Sequence, residues 1–165
     1  MGFNPRFTAR EINRDLQNYF NHIHHGIVSI MERVGEEFAR DAKDGVNISG
    51  AFPKGDYTDQ TANLRSSIGY AIVYDGAVVA TSLPVLDTDT GKIVNEVLTN
   101  SVPMKWILVG FAAMEYASYL ESKGYNVITS QSTVAMVDLE SRVRKFAKGK
   151  DFGTSFKLGG VTNAL

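Results

Sequence analysis

Apolar residues in the first quarter of the chain recur at helical spacing. Leu16, Phe20, Ile23, Ile27, Ile30, Val34 and Phe38 follow one another at steps of three or four, so they line one side of a helix. The pattern predicts a helix from near Thr8 to about Lys43, with Gly45 as its stop. Gly26 and Gly35 weaken it locally, by up to about 1 kcal/mol each where exposed. The same stripe suits a helix lying on its own sheet or a coiled-coil seam between subunits.

The period then changes. Residues 45–57, GVNISGAFPKGDY, read as a loop. A short helix is expected over Gln60 to Ser66, capped by Asp59. Ile68–Tyr74 and Ala77–Ser82 are β-rich runs parted only by Asp75-Gly76, the mark of a tight hairpin whose two turn positions need positive φ. Ile68, Tyr70, Ile72 and Tyr74 share one face.

Residues 84–104 read as an inserted excursion, with a turn at Asp87–Gly91 and a short helix around Ile93, Val94, Val97 and Leu98. A buried strand is expected near 105–111, a short helix over Ala113–Lys123 closed by Gly124, and an extended piece at Tyr125–Ile128. A last helix, capped by Ser130 or Ser132 and running to about Lys148, carries the stripe Met136, Leu139, Val143 and Phe146. The glycine-rich end, 149–165, reads as a flexible tail.

The fold class is therefore α+β. An antiparallel sheet of three to four strands (hairpin 68–82 plus the strand near 105–111) is packed by a long N-terminal helix and a C-terminal helix, in one domain over residues 1–148. The length of 165 residues suits one domain with a real core. Seventeen basic residues against eighteen acidic ones give no overall field to steer nucleic acid or an anionic membrane. With no cysteine, disulfides and thiolate chemistry are excluded. The N-terminus lacks the apolar core of a signal peptide and the longest apolar run is Trp106–Met114, so a soluble protein without membrane contact is expected.

Few constellations could carry chemistry. TDQTANLRSS, at 58–67, gathers hydroxyls around Arg65 but has neither the glycines nor the lysine of a phosphate loop. A serine nucleophile needs a neighbouring base, and the three histidines, His22, His24 and His25, all fall in the first helix. His22 and His25 share a helix face, but Asp15 and Glu32 are badly spaced to complete a metal site. Asp87-x-Asp-x-Gly91 departs from calcium-loop spacing and reads as a turn. No catalytic residue, cofactor or metal is expected.

Two features suggest surfaces instead. Tyr116, Tyr119 and Tyr125 gather around Glu121, and tyrosine suits both a sheet-covering helix with wet hydroxyls and a subunit interface. Arg142, Arg144, Lys145 and Lys148 crowd the end of the last helix, where the helix dipole accounts for them without a ligand and DNA is the alternative.

Two segments resemble a known family. TANLRSSI, at 61–68, resembles the T-G-x-L-R-x-S-I signature of small tail proteins of long-tailed phages, and VGFAAMEYASYLESKGYNVIT, at 109–129, resembles their later strand and Y-A-x-Y-[VL]-E helix. The family is the HK-ninety-seven gene-product-ten-like group of tail-completion or head–tail joining (neck) proteins. Ala62 stands in place of the usual glycine, Ser-Lys-Gly-Tyr follows Glu121 in place of Phe-Gly-Thr, and the long excursion resembles variants from phages and prophages of gut Bacteroidetes.

The resemblance implies a structural virion protein without catalysis. It would assemble as a ring with itself, a hexamer in the virion, and join neck and tail-tube proteins. It would act in the virion after assembly in the host cytoplasm. Tyr116, Tyr119, Glu121 and Tyr125 would then serve the subunit interface, and Arg142, Arg144, Lys145 and Lys148 would face passing DNA in a weak contact. The rival is a nucleic-acid-binding module that uses basic residues at both helix ends.

Overall fold

The computed structural model describes residues 8–45, 63–83, 88–125 and 127–149. The long helix α1 spans Ala9–Gly45. Its start is a capping box: the Thr8 amide donates to Glu11 Oε2 at 2.8 Å and the Glu11 amide donates to Thr8 Oγ1 at 3.3 Å. Backbone and side-chain bonds from Thr8 hold the Glu11 carboxyl below its ordinary value.

A five-residue helix, α2 (Asn63–Ser67), leads into the hairpin of β1 (Ile68–Tyr74) and β2 (Ala77–Thr81). Asp75 and Gly76 sit at φ 50° and 75°, the left-handed pair that a two-residue turn of this hand needs. Asp75 Oδ1 also accepts the Met104 amide at 3.1 Å, which ties the turn to the loop before the third strand. Ile72 pairs with Ala80 and Val73 with Val78, so Val79 is the extra residue of a bulge that disturbs the β2 edge.

The chain next forms α3 (Thr88–Thr99) and returns as β3 (Trp106–Ala112) on the other side of β1. The sheet has three strands in the order β2-β1-β3, antiparallel throughout. Two helices close the fold, α4 (Glu115–Ser122) and α5 (Thr129–Ala147). No helix among the described residues is long and apolar enough to cross a membrane.

The middle strand is covered on both faces. Ile68, Tyr70 and Ile72 pack with Met31, Phe38, Ala39 and Ala42 of α1. On the opposite face Ala71 joins Val94 of α3 and Phe111 of β3 in a second cluster. Within the excursion α3 closes the second face, and Val94 is among the most buried side chains. This double burial explains the unbroken apolar run of β1, which an alternating strand would lack.

Three aromatic rings sit where a side chain is missing. A Cβ at Gly35 would meet the Tyr70 ring at 2.6 Å, one at Gly110 the Phe38 ring at 2.6 Å, and one at Gly26 would run into the Phe146 ring. The helix glycines that sequence reads as weak points are therefore seats, one for β1 and one for α5. Phe146 at Gly26 and Arg142 at Glu37 show α5 running antiparallel along the second half of α1.

Several expectations change in detail. α2 spans Asn63–Ser67, while Asp59 and Gln60 lie outside the described residues, as do the loop 46–57 and the tail 150–165. Thr88–Gly91 opens α3 as helix rather than turn. Tyr125 and Val127–Ile128 form no strand. α5 starts at Thr129, and Met136 is 66% exposed, so its inner stripe is Ala135, Leu139 and Phe146.

The Gly110 seat is testable. Gly110→Val should lower stability by about 1–3 kcal/mol through overpacking against Phe38, read as a lower urea midpoint, with Phe38→Leu recovering part of the loss. Strand propensity alone predicts the opposite sign, so an unchanged or higher midpoint would refute the seat.

Candidate assembly surfaces

The L-R-S-S-I stretch is a mechanical junction. Leu64 and Ile68 are fully buried. The Ser66 and Ser67 hydroxyls donate to the carbonyls of Asn63 and Leu64 at 2.9 and 2.8 Å, which uses them to finish α2. The Ala113 amide donates to the Ser67 carbonyl at 3.1 Å and so locks the end of β3 to this junction. Arg65 reaches Asp44 at 3.1 Å across the gap between the end of α1 and α2. A cleft of about 510 Å³ opens there, lined by Arg40, Lys43, Arg65, Tyr70 and Ser82 among others, where residues 46–62 leave and rejoin the described chain.

Glu121 has an internal role that sequence reading missed. One carboxylate oxygen accepts the amides of Val127, Ile128 and Thr129 at 2.9, 2.8 and 3.1 Å, and the other accepts the Thr129 hydroxyl at 2.7 Å. Ile128, at the N-cap position, has no side-chain cap bond of its own. A carboxylate from α4 therefore caps α5, which joins the two helices across the Gly124 turn. Burial pushes the Glu121 carboxyl up, but the bonds from Ile128, Thr129 and Val127 outweigh it and hold it below the ordinary range. The only sequence signal was a glutamate eight residues before a threonine, a spacing that belongs to no local motif.

The tyrosines divide. Tyr116 and Tyr125 pack against the protein's own core. Tyr119 points out, 61% exposed, with the Lys123 ammonium 5.3 Å from its ring centre. Of the four residues expected at an interface, Tyr119 is the one turned to solvent, while Glu121 is occupied by the cap.

The basic cluster divides too. Arg142 bonds Glu37 of α1 at 2.6 Å and Asp138 at 2.8 Å, and Arg144 bonds Glu140 at 2.6 Å. The Asp138 bond leads the influences that keep Arg142 firmly protonated. Lys145 and Lys148 are exposed, and the Lys148 amide donates to the carbonyls of Arg144 and Lys145 as the helix ends. The histidines belong to aromatic contacts. His22 lies 6.1 Å from Phe146, and His24 lies 4.8 Å from Tyr74, whose ring stacks on Trp106 at 4.6 Å.

An apolar ridge is exposed among the described residues. The first turns of α1 extend beyond the body as an arm. Ile12, Leu16 and Phe20 continue the core-facing stripe there, yet Phe20 is 58% exposed. Val134 and Val137 on the outer side of α5 are 61% and 62% exposed. The chain matches no protein-family model, no curated protein and no solved structure.

The cap sets a pH dependence. The Glu121 carboxyl is lowered in the folded state, so its contribution is present above the ordinary carboxyl range and fades as pH falls through the folded value. Glu121→Gln should cost about 1–2 kcal/mol near pH 7. Urea melts from neutral pH to pH 3 should show the gap from the wild type closing in acid. A gap constant with pH would show that the charge is not what caps α5.

Proposed function

We propose that this is a structural virion protein of a tailed phage or prophage, acting without catalysis in tail completion or head–tail joining by assembling into a ring. The observation that carries the reading is where the two family-like motifs fall in the fold. L-R-S-S-I sits at the junction of α2 and β1, and Y-A-S-Y-L-E lies within α4, where its Glu121 caps α5. Apart from the exposed Tyr119, the placed side chains of both motifs mostly serve the protein's own packing and caps. That suits a protein whose fold is its function, with outward surfaces left free for assembly. Its partners are then further copies of itself, as a hexamer in the virion, together with neck and tail-tube proteins.

The site is otherwise poor in chemistry. The Ser66 and Ser67 hydroxyls end α2, and the Glu121 carboxylate is spent on a cap. A nucleic-acid-binding reading draws less support, because Arg142 and Arg144 are already held by carboxylates. The basic end of α5 then offers DNA only a weak, sequence-blind contact in a lumen.

Inactivating the gene in its source phage or prophage should leave DNA-filled heads and separate tails by electron microscopy, with infectious particles reduced at least a hundredfold. Normal virions at normal titre would overturn the reading.

A further inference from the structure

We propose that the α1 arm of one copy docks on the outer face of α5 of a second copy, with Ile12, Leu16 and Phe20 against Val134 and Val137. The inference rests on the self-assembly part of the proposed function and names the surfaces that carry it.

Both patches are apolar at helical spacing, and among the described residues both are exposed. From Ala9 to His22 all side chains are exposed except that of Tyr19, which is half-buried. Ile12, Leu16 and Phe20 are four residues apart and form one ridge. Scattered apolar residues on a surface need no explanation, but a continuous ridge marks a contact.

The two patches cannot meet within one chain. Phe146 seats at Gly26 and Arg142 reaches Glu37, so the first half of α5 lies beside the far end of α1. At about 1.5 Å per residue, roughly 25 Å of helix separates Phe20 from Glu37. The arm points away from the patch. Two unlike patches at opposite ends of one molecule make a heterologous contact, the kind that repeats from copy to copy and closes into a ring when the rotation allows.

Charge fits the same occupant. No residue from Thr129 to Val137 is charged. On the arm, Arg14 pairs with Asp15 at 3.2 Å and Glu11 is taken by Thr8. Helical spacing places Arg10 and Arg14 on the side opposite the ridge. A nucleic acid or acidic partner would find no cation among the residues of either patch, and the charges bordering the α5 patch, Asp138 and Glu140, are paired with Arg142 and Arg144, whereas an apolar ridge packs against an apolar helix stripe at about 8–10 Å between axes.

The test uses full-length protein and two double variants, Leu16→Asp with Phe20→Asp on the arm and Val134→Asp with Val137→Asp on α5. By sedimentation velocity over a concentration series, the wild type should form closed oligomers. Each variant alone should be monomeric, with association weakened more than tenfold. An equal mixture should form a heterodimer and nothing larger, because only one intact arm and patch can meet. Far-ultraviolet circular dichroism checks that both variants fold.

The chain has no cysteine, so a milder pair gives a second readout. Oxidised mixtures of Phe20→Cys and Val137→Cys copies should give crosslinked heterodimers. Homodimers alone would overturn the proposal in favour of arm–arm pairing. An arm variant that assembles like the wild type would overturn it too, and would leave the ridge to another cover such as residues 150–165 of the same chain. In either of those cases the wild type still assembles and the proposed function stands. A wild type that stays monomeric at every concentration also overturns the docking pair, and the virion experiment then judges the function separately.

Discussion

Three rings pressed against glycine hold the layers of this protein at their spacing. Tyr70 of β1 lies on Gly35 of α1, Phe38 of α1 lies on Gly110 of β3, and Phe146 of α5 lies on Gly26 of α1. In the first two, ring and seat change sides, so helix and sheet each supply one of each. Contacts this close bring backbones nearer than paired side chains would, and a packed interior has little slack to absorb an added methyl. The helix gives up some intrinsic propensity at Gly26 and Gly35. In return its direction on the sheet is fixed, and with it the direction in which the arm leaves the body.

The long helix, the hairpin and the third strand were legible because each has a strong local signal. Asp75-Gly76 between two β-rich runs fixes the turn from two residues alone. Thr8-Ala-Arg-Glu11 also carried a local signal, the capping box, which sharpens the start of α1. What stayed hidden is non-local. Periodicity shows that Leu16 and Phe20 share a stripe with Val34, but not that the body ends before reaching them. The role of α3 depends on β3 crossing to the far side of β1, which no window of sequence records. Glu121 in the tyrosine group reads as part of a subunit interface, and Arg142 reads as a helix-end charge or a DNA contact. Each turned out to have its partner on another element or beyond a turn.

These internal bonds bear on how the functional reading divides the surface. Residues that looked chemical in the sequence are mostly spent on holding helices together. Among the described residues the outward features include an apolar ridge on the arm, an apolar face on α5, Val102 and Met104 before β3, Tyr119 and two lysines at the end of α5. The features on α1, α4 and α5 lie on separate helices rather than around one cleft.

The central position of β1 has a consequence for synthesis. A strand apolar on both faces is made early, and α1 precedes it and shields one face at once. Its first edge is filled by β2 as soon as the tight turn closes, on a timescale of about 1–10 μs. The other edge and the second face wait for α3 and β3. The face waits for α3, complete at Thr99, and the edge for β3, complete at Ala112, which takes seconds from Tyr74 at roughly 5–20 residues per second. For that interval the nascent protein carries a bare sheet edge, at first beside a bare apolar face. The order of its elements therefore sets a window for wrong strand pairing between neighbouring chains on one message.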